Sequence, residues 1–185
     1  METHEHGERM KQLALALGQR LGFSASQLDE LALAVVLHDI GKVAVPDHIL
    51  TKAEPVTGKE WQIVKNHPEV GFRIAAASPE LAGIADHILH HHEHWNGGGY
   101  PQGLSGEAIP VQSRIIALVD AFDVMTNPQP YAQPFGTAEA ILELQRCAGS
   151  QFDPRLTKDF AAVLDEVYTT RSADEKGRGP LRKDL

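Results

Sequence analysis

The sequence predicts an all-α fold, a single helical bundle of about seven helices, and three observations carry that expectation. Apolar residues recur every three to four positions through most of the chain. Proline, glycine and cap-forming residues punctuate those stretches. No segment sustains the period-two alternation between turns that a half-buried strand requires. The 185 residues are enough for one well-buried core and too few for two comfortable domains.

Met10, Leu13, Leu17 and Leu21 share one helical face, and Leu28, Leu31 and Val35 resume the pattern after a loop at residues 24–26. Ser26 with Asp29 reads as the capping box of this second helix, which Gly41 closes just beyond His38 and Asp39. Thr57 and Glu60 form a similar start, and Pro68 begins a fresh helix to about Ala77 with His67 at the joint. Pro79 opens a further helix expected to carry the histidine cluster. The run Asn96-Gly97-Gly98-Gly99-Tyr100-Pro101 cannot continue it and reads as a loop. Residues 111–125 read as a buried helix bearing Arg114, Asp120 and Asp123, ended by the proline-rich residues 127–134. Thr137 and Asp153-Pro154 then start two more. From Thr169 the chain is polar, with Gly177, Gly179 and Pro180, so residues 1–168 are expected as the domain and 169–185 as a flexible polar tail.

Composition narrows the chemistry. The longest apolar run, residues 31–37, falls far short of the roughly 20 residues that span a bilayer, and the start lacks the basic-then-apolar order of a signal peptide. A cytoplasmic location, away from membranes, is the expectation. A single cysteine, Cys147, excludes a disulfide framework and any multi-cysteine zinc site. The formal net charge of −8 opposes binding to polymeric nucleic acid, which needs a concentrated cationic surface. A phosphate ligand would therefore need local positive charge. Ten histidines are many for so acidic a chain, and five of them fall within residues 87–94.

Several of these residues are poorly explained as surface or core groups. His38-Asp39 follows an apolar helix and precedes Gly41-Lys42, which brings imidazole, carboxylate and cation together. His91 and His92 add two imidazoles within reach of His67, and burying so many without partners would strain the domain. Asp120 lies in the apolar run 115–119 and beyond, where an unpaired carboxylate carries a large desolvation cost. Asp123 shares its face, placed to position a neighbouring ligand or to touch substrate. Glu2 and His6, four apart, project from one face of the first helix. The candidate metal ligands are thus Glu2, His6, His38, Asp39, His67, His91, His92 and Asp120. This set exceeds one ion's needs, its mixed nitrogen and oxygen donors suit iron, manganese or zinc better than magnesium, and a carboxylate such as Asp39 can bridge two ions about 3.5–4 Å apart.

The motifs His38-Asp39-Ile40-Gly41-Lys42, His91-His92-Glu93 and Gly99-Tyr100-Pro101 together resemble the HD-GYP phosphodiesterases, a branch of the HD metallohydrolase superfamily. The resemblance extends from His6-Gly7-Glu8-Arg9 to Asp153-Pro154 and takes in Lys52, His67-Pro68, Arg114-Ile115 and Asp120 in order. It implies an HD-domain-like bundle that hydrolyses cyclic di-GMP, or a related cyclic dinucleotide, at a centre of two or three divalent ions, iron or manganese above others. His6, His38, Asp39, His67, His91, His92 and Asp120 stand at the ligand positions, and Glu2 stands where members with a third ion carry an extra ligand. Asp39 and Lys42 are the implied catalytic residues: a metal-bridging hydroxide attacks phosphorus in line while Lys42 stabilises charge on the phosphoryl oxygens. The product is the linear dinucleotide, with GMP as a further one. Lys42, Tyr100, Arg114 and Asp123 are the candidate substrate contacts, with an ion pair from Arg114 to Asp120 or Asp123 as an alternative role.

The sequence departs from the family where Arg-Pro-Tyr-Lys or Arg-Pro-Tyr-Arg is common, showing Gln129-Pro130-Tyr131-Ala132, and it has Asn96 in place of the usual aspartate. Two cations that could hold nucleotide phosphates are absent while every ligand position is kept. Beside the phosphodiesterase, two other readings therefore stand: an HD phosphohydrolase of another nucleotide, and a non-catalytic cyclic-dinucleotide sensor or docking module that meets a cyclase or adaptor protein through the Gly-Tyr-Pro loop.

Overall fold

The computed structural model describes residues 4–52, 54–128 and 133–177. Within them the chain forms nine α-helical segments, seven of which have eight residues or more. They are α1 (His4–Arg20), α2 (Ala25–Leu37), α3 (Asp47–Leu50), α4 (Gly58–Lys65), α5 (His67–Ala76), α6 (Ala85–Leu89), α7 (Val111–Thr126), α8 (Thr137–Arg146) and α9 (Pro154–Gly177). The described residues contain no strand, only isolated bridges pairing Asn96 with Ser105 and Ala148 with Phe152. The all-α expectation is borne out.

Helix α1 packs against α2, α7 and α9, and this group forms the core. Met10, Ala14 and Leu17 of α1 are buried with Leu31, Ala34 and Val35 of α2, Ile115, Ile116, Val119 and Phe122 of α7, and Phe160 and Leu164 of α9. Burying each of the larger side chains contributes about 1.5–3 kcal/mol. Phe122 meets Phe160 edge-on, ring centroids 5.5 Å apart, which adds a favourable quadrupole contact. No helix among the described residues is long and apolar enough to cross a membrane.

The capping box of α2 differs from the one expected. Ser24 is the N-cap and accepts from the Gln27 amide while the Gln27 side chain accepts from the Ser24 amide. Glutamine at this third position serves as well as an acidic residue, so the helix starts earlier and Ser26 bonds Glu30 instead. The box at Thr57 and Glu60 forms as expected. The helix expected from Pro79 to the histidine cluster is much shorter: a 3₁₀ turn, Ala82–Ile84, leads into the five-residue α6, and His91 and His92 lie in the turn beyond it. Helix α9 runs on to Gly177, past Thr169 where a tail was expected to begin. Residues 169–176 contain neither proline nor glycine, so the backbone has no local reason to stop.

A 3₁₀ turn, Ile40–Ala44, follows His38 and Asp39 and lies directly on the start of α5. Gly41 makes this possible, because a Cβ there would fall 1.9 Å from the His67 carbonyl oxygen and 2.6 Å from the Gly71 nitrogen. These are backbone atoms of a packed helix and cannot swing aside. Gly41→Ala should therefore cost at least about 1–3 kcal/mol in urea unfolding followed by far-UV circular dichroism. Gly83→Ala, whose Cβ would meet nothing within 4 Å, should change stability by less than about 0.5 kcal/mol. Equal midpoints for the two variants would refute this account of the contact.

Candidate metal centre

Five separate parts of the fold deliver side chains to one place. His6 comes from α1, His38 from the C-cap of α2 with Asp39 just after it, His67 from the first turn of α5, His91 and His92 from the turn after α6, and Asp120 from α7. Their donor atoms fall into two groups, each within 4.8 Å: Asp39, His67, His91 and His92 in one, His6, His38 and Asp120 in the other. Asp39 links them. Its Oδ1 lies 2.8 Å from His67 Nε2 and 3.9 Å from His91 Nε2, while its Oδ2 faces His38 Nε2 at 3.3 Å and pairs with Lys42 Nζ.

Backbone carbonyls decide which face each imidazole presents. His38 Nδ1 lies 2.7 Å from the Val35 oxygen, His67 Nδ1 2.8 Å from that of Val64, and His91 Nδ1 2.6 Å from that of Ile88. A carbonyl can only accept, so Nδ1 carries the proton in all three, and in the neutral ring Nε2 is left as a lone pair aimed into the cluster. The result at His67 and His91 is decisive: their Nε2 atoms face each other at 3.3 Å. Burial, then the neighbouring His92 and His38, push the His91 pKa well below the usual imidazole value, so it stays neutral near pH 7. The neutral His91 nitrogen thus faces His67 Nε2 and the Asp39 carboxylate, an electron-rich pocket that a cation beside them relieves, and imidazole with carboxylate is a donor set for a divalent transition ion. The residues fit such an ion.

His92 is likewise pushed down, to about 3, chiefly by burial and then by His67. Burial raises the Asp120 carboxyl, and His38 draws it back only in part. Burial and the neighbouring Asp39 thus penalise an anion that a bound cation would restore.

Asp123 lies behind His6. Its Oδ2 is 2.6 Å from His6 Nδ1, Arg9 donates to both oxygens at 2.7 and 2.8 Å, and Asn127 Nδ2 donates to Oδ1 at 3.1 Å. Burial would raise this carboxyl, but the hydrogen bonds from Arg9 and His6 hold it below its ordinary value. Asp123 is 3% exposed, and its contacts are those of a residue that orients His6, the first of the two roles expected. Arg114 pairs neither with Asp120 nor with Asp123. It donates to Asp153 Oδ2 at 2.7 Å and lies 5.7 Å from the Trp95 ring centroid, because Asp153 caps the start of α9 and presents its second oxygen. Tyr100 stacks on His92 with ring centroids 4.9 Å apart. Glu2 and residues 129–132 lie outside the described residues.

His90 explains one histidine of the dense run differently. Its Nδ1 is 2.8 Å from the Asp86 carbonyl oxygen and its Nε2 is 3.3 Å from Gln102 Oε1, so both ring nitrogens have partners away from the centre. Arg9 and Asn127 were not singled out by sequence. Arg9 could have been, since it follows His6 by one helical turn on the same face.

The HD domain family profile matches residues 2–156. The chain belongs to the HD domain family. A cyclic di-GMP phosphodiesterase of Thermotoga maritima is 38% identical over 169 residues, 90% of this chain and 46% of that protein. A 3'3'-cGAMP-specific phosphodiesterase 2 of Vibrio cholerae is 35% identical, over 93% of this chain and 33% of its own length. The chain thus spans less than half of either relative. In fold it is similar to a crystal structure of a cyclic GMP-AMP specific phosphodiesterase of V. cholerae, with a TM-score of 0.69 and 23% identity over 97% of this chain and 50% of that one. The resemblance to the HD-GYP branch is borne out.

The Asp123 contacts give a direct test. Asp123→Ala should weaken manganese binding by about 10- to 100-fold in calorimetric titration, because His6 loses the acceptor that fixes its tautomer. Titration indistinguishable from the parent would rule out that orienting role.

Proposed function

We propose that this chain is a metal-dependent phosphodiesterase domain acting on cyclic di-GMP or a related cyclic dinucleotide, yielding the linear dinucleotide and, further, GMP. The observation that carries the proposal is the sharing of Asp39 between two donor groups with Lys42 at their edge. In this reading His6, His38 and Asp120 would hold one ion and His67, His91 and His92 another, Asp39 would contribute to both, and Glu2 would be the extra ligand of a third. Iron or manganese matches the mixed imidazole and carboxylate set. When bound, such ions supply Lewis acidity and lower the pKa of water.

The chain's own residues complete the site. Lys42, with its side chain 36% exposed, is placed to neutralise charge developing on a phosphoryl oxygen. Asp39 holds that ammonium in place, as it would the ions. Burial, then the carboxylates of Asp39 and Asp120, keep the Tyr100 hydroxyl protonated, so it is available as a donor to a phosphate or a base edge. Lys65 Nζ lies 4.5 Å from the Tyr100 ring centroid, and Trp61 meets the same ring edge-on at 6.4 Å. These groups give an acidic chain a local cationic and aromatic border suited to a nucleotide. Arg114, tied to Asp153, serves here to seat the loop bearing Tyr100 rather than to bind phosphate. The names of the two relatives support a cyclic dinucleotide as substrate, and a cytoplasmic setting suits the lone free Cys147.

A second reading rests on Gln129, Ala132 and Asn96. Without the usual cations, the domain would bind its nucleotide and dock a cyclase or adaptor through the Gly-Tyr-Pro loop instead of turning it over.

The deciding experiment incubates the chain anaerobically, loaded with ferrous iron or manganese, with cyclic di-GMP and separately with 3'3'-cGAMP, and separates products by chromatography. Linear dinucleotide should form, Lys42→Ala should lower kcat by about 10²–10³-fold, and Asp39→Ala should remove turnover. No product from either substrate at full metal load would exclude the phosphodiesterase and favour the sensor.

A further inference from the structure

One ligand of the cluster is held differently from the others. His38, His67 and His91 each give Nδ1–H to a backbone carbonyl, and His6 is fixed by Asp123. Among the described residues, none makes a hydrogen bond to the ring of His92. Its ring meets those of two fellow cluster histidines, tilted to His91 at 4.1 Å and edge-on to His67 at 5.0 Å, and its stacking partner is Tyr100, at 4.9 Å with an interplanar angle of 24°.

The position of Tyr100 is itself built from buried contacts. Gly99 lies so close to the preceding turn that a Cβ would fall 2.3 Å from the His94 nitrogen and 2.5 Å from both Glu93 Cα and the His92 oxygen. The Tyr100 amide donates to the His92 carbonyl at 3.1 Å. Beyond the tyrosine, Glu93 Oε1 accepts from the amides of Gln102 and Gly103 at 2.7 and 3.1 Å, and Gln102 also meets His90. The Glu93 carboxylate is 3% exposed. A buried carboxylate carries a high desolvation cost, and the two backbone N–H bonds to Oε1 offset part of it, Oε2 being buried with no hydrogen-bond partner among the described residues.

We infer that Glu93 is a positioning residue for the metal centre: by clamping the backbone after Pro101 it holds the Tyr100 ring against His92, replacing the hydrogen bond that orients the other ligand histidines. The Gly-Tyr-Pro loop then sets the geometry of a ligand as well as offering a surface. This inference rests on the metal centre proposed above and is independent of which ester is hydrolysed.

Cobalt(II) titration of the whole chain, followed by its visible ligand-field absorption, reads the coordination geometry without turnover. The parent should bind in two steps. Glu93→Ala and Tyr100→Leu should each weaken the step belonging to the Asp39, His67, His91 and His92 group by about 10- to 100-fold and change its band shape. The His6, His38 and Asp120 step should persist. Glu93→Gln, which keeps the acceptor oxygen, and Tyr100→Phe, which keeps the ring, should restore the parent spectrum. If Glu93→Ala fails to fold, the two tyrosine variants decide the matter by the same criteria. Parent-like titrations and spectra from Glu93→Ala and Tyr100→Leu, with only thermal stability lowered, would overturn the inference while leaving the metal centre intact. A parent chain that binds no cobalt would remove the centre and the inference together.

Discussion

The backbone contact between Gly41 and the first turn of α5 governs much else in this molecule. Asp39 and His67 belong to elements that would otherwise be separated by the thickness of a side chain, and it is their approach that lets one carboxylate serve both donor groups. Because the contact involves the carbonyl of His67 itself, the peptide that anchors the imidazole is also the surface against which the Ile40–Ala44 turn is pressed. Rigidity at the centre thus comes from main-chain packing, which is less forgiving than side-chain packing and needs a missing Cβ to exist at all.

Around that contact the protein assembles groups that repel or desolvate one another. Imidazole nitrogens face each other, Asp120 has its charge disfavoured by burial, and hydrogen bonds to carbonyls forbid the rings from turning away. The core formed by α1, α2, α7 and α9 holds this arrangement, so folding stability is spent on the centre rather than drawn from it.

Much of this was legible in the sequence where a local rule was strong. Helix starts at Thr57, His67-Pro68 and Asp153-Pro154 follow from side chains that cap or preset the backbone, and the residue pairing His38-Asp39 announced itself by chemistry. The run from Pro79 to His92 was harder, since a proline licenses a helix without fixing its length, and the burial of Ile84 and Ile88 decides where the turns fall. Pairings such as Arg9 with Asp123 and Arg114 with Asp153 span 114 and 39 residues. Only the tertiary fold creates them. Glu93 was visible as part of a motif, yet nothing in its spacing announced that its partners would be amides nine and ten residues on.

Trp61 is 43% exposed and reaches His92 through a single intervening ring, that of Tyr100. An indole so placed is a built-in optical probe. Its emission responds both to paramagnetic or open-shell ions that quench at short range and to any protein that settles on the loop, so occupancy of the centre and occupancy of the surface share one observable. The other tryptophan, Trp95, packs beside Arg114 on the far anchor of the same loop, and replacing it with phenylalanine would leave Trp61 as the sole reporter.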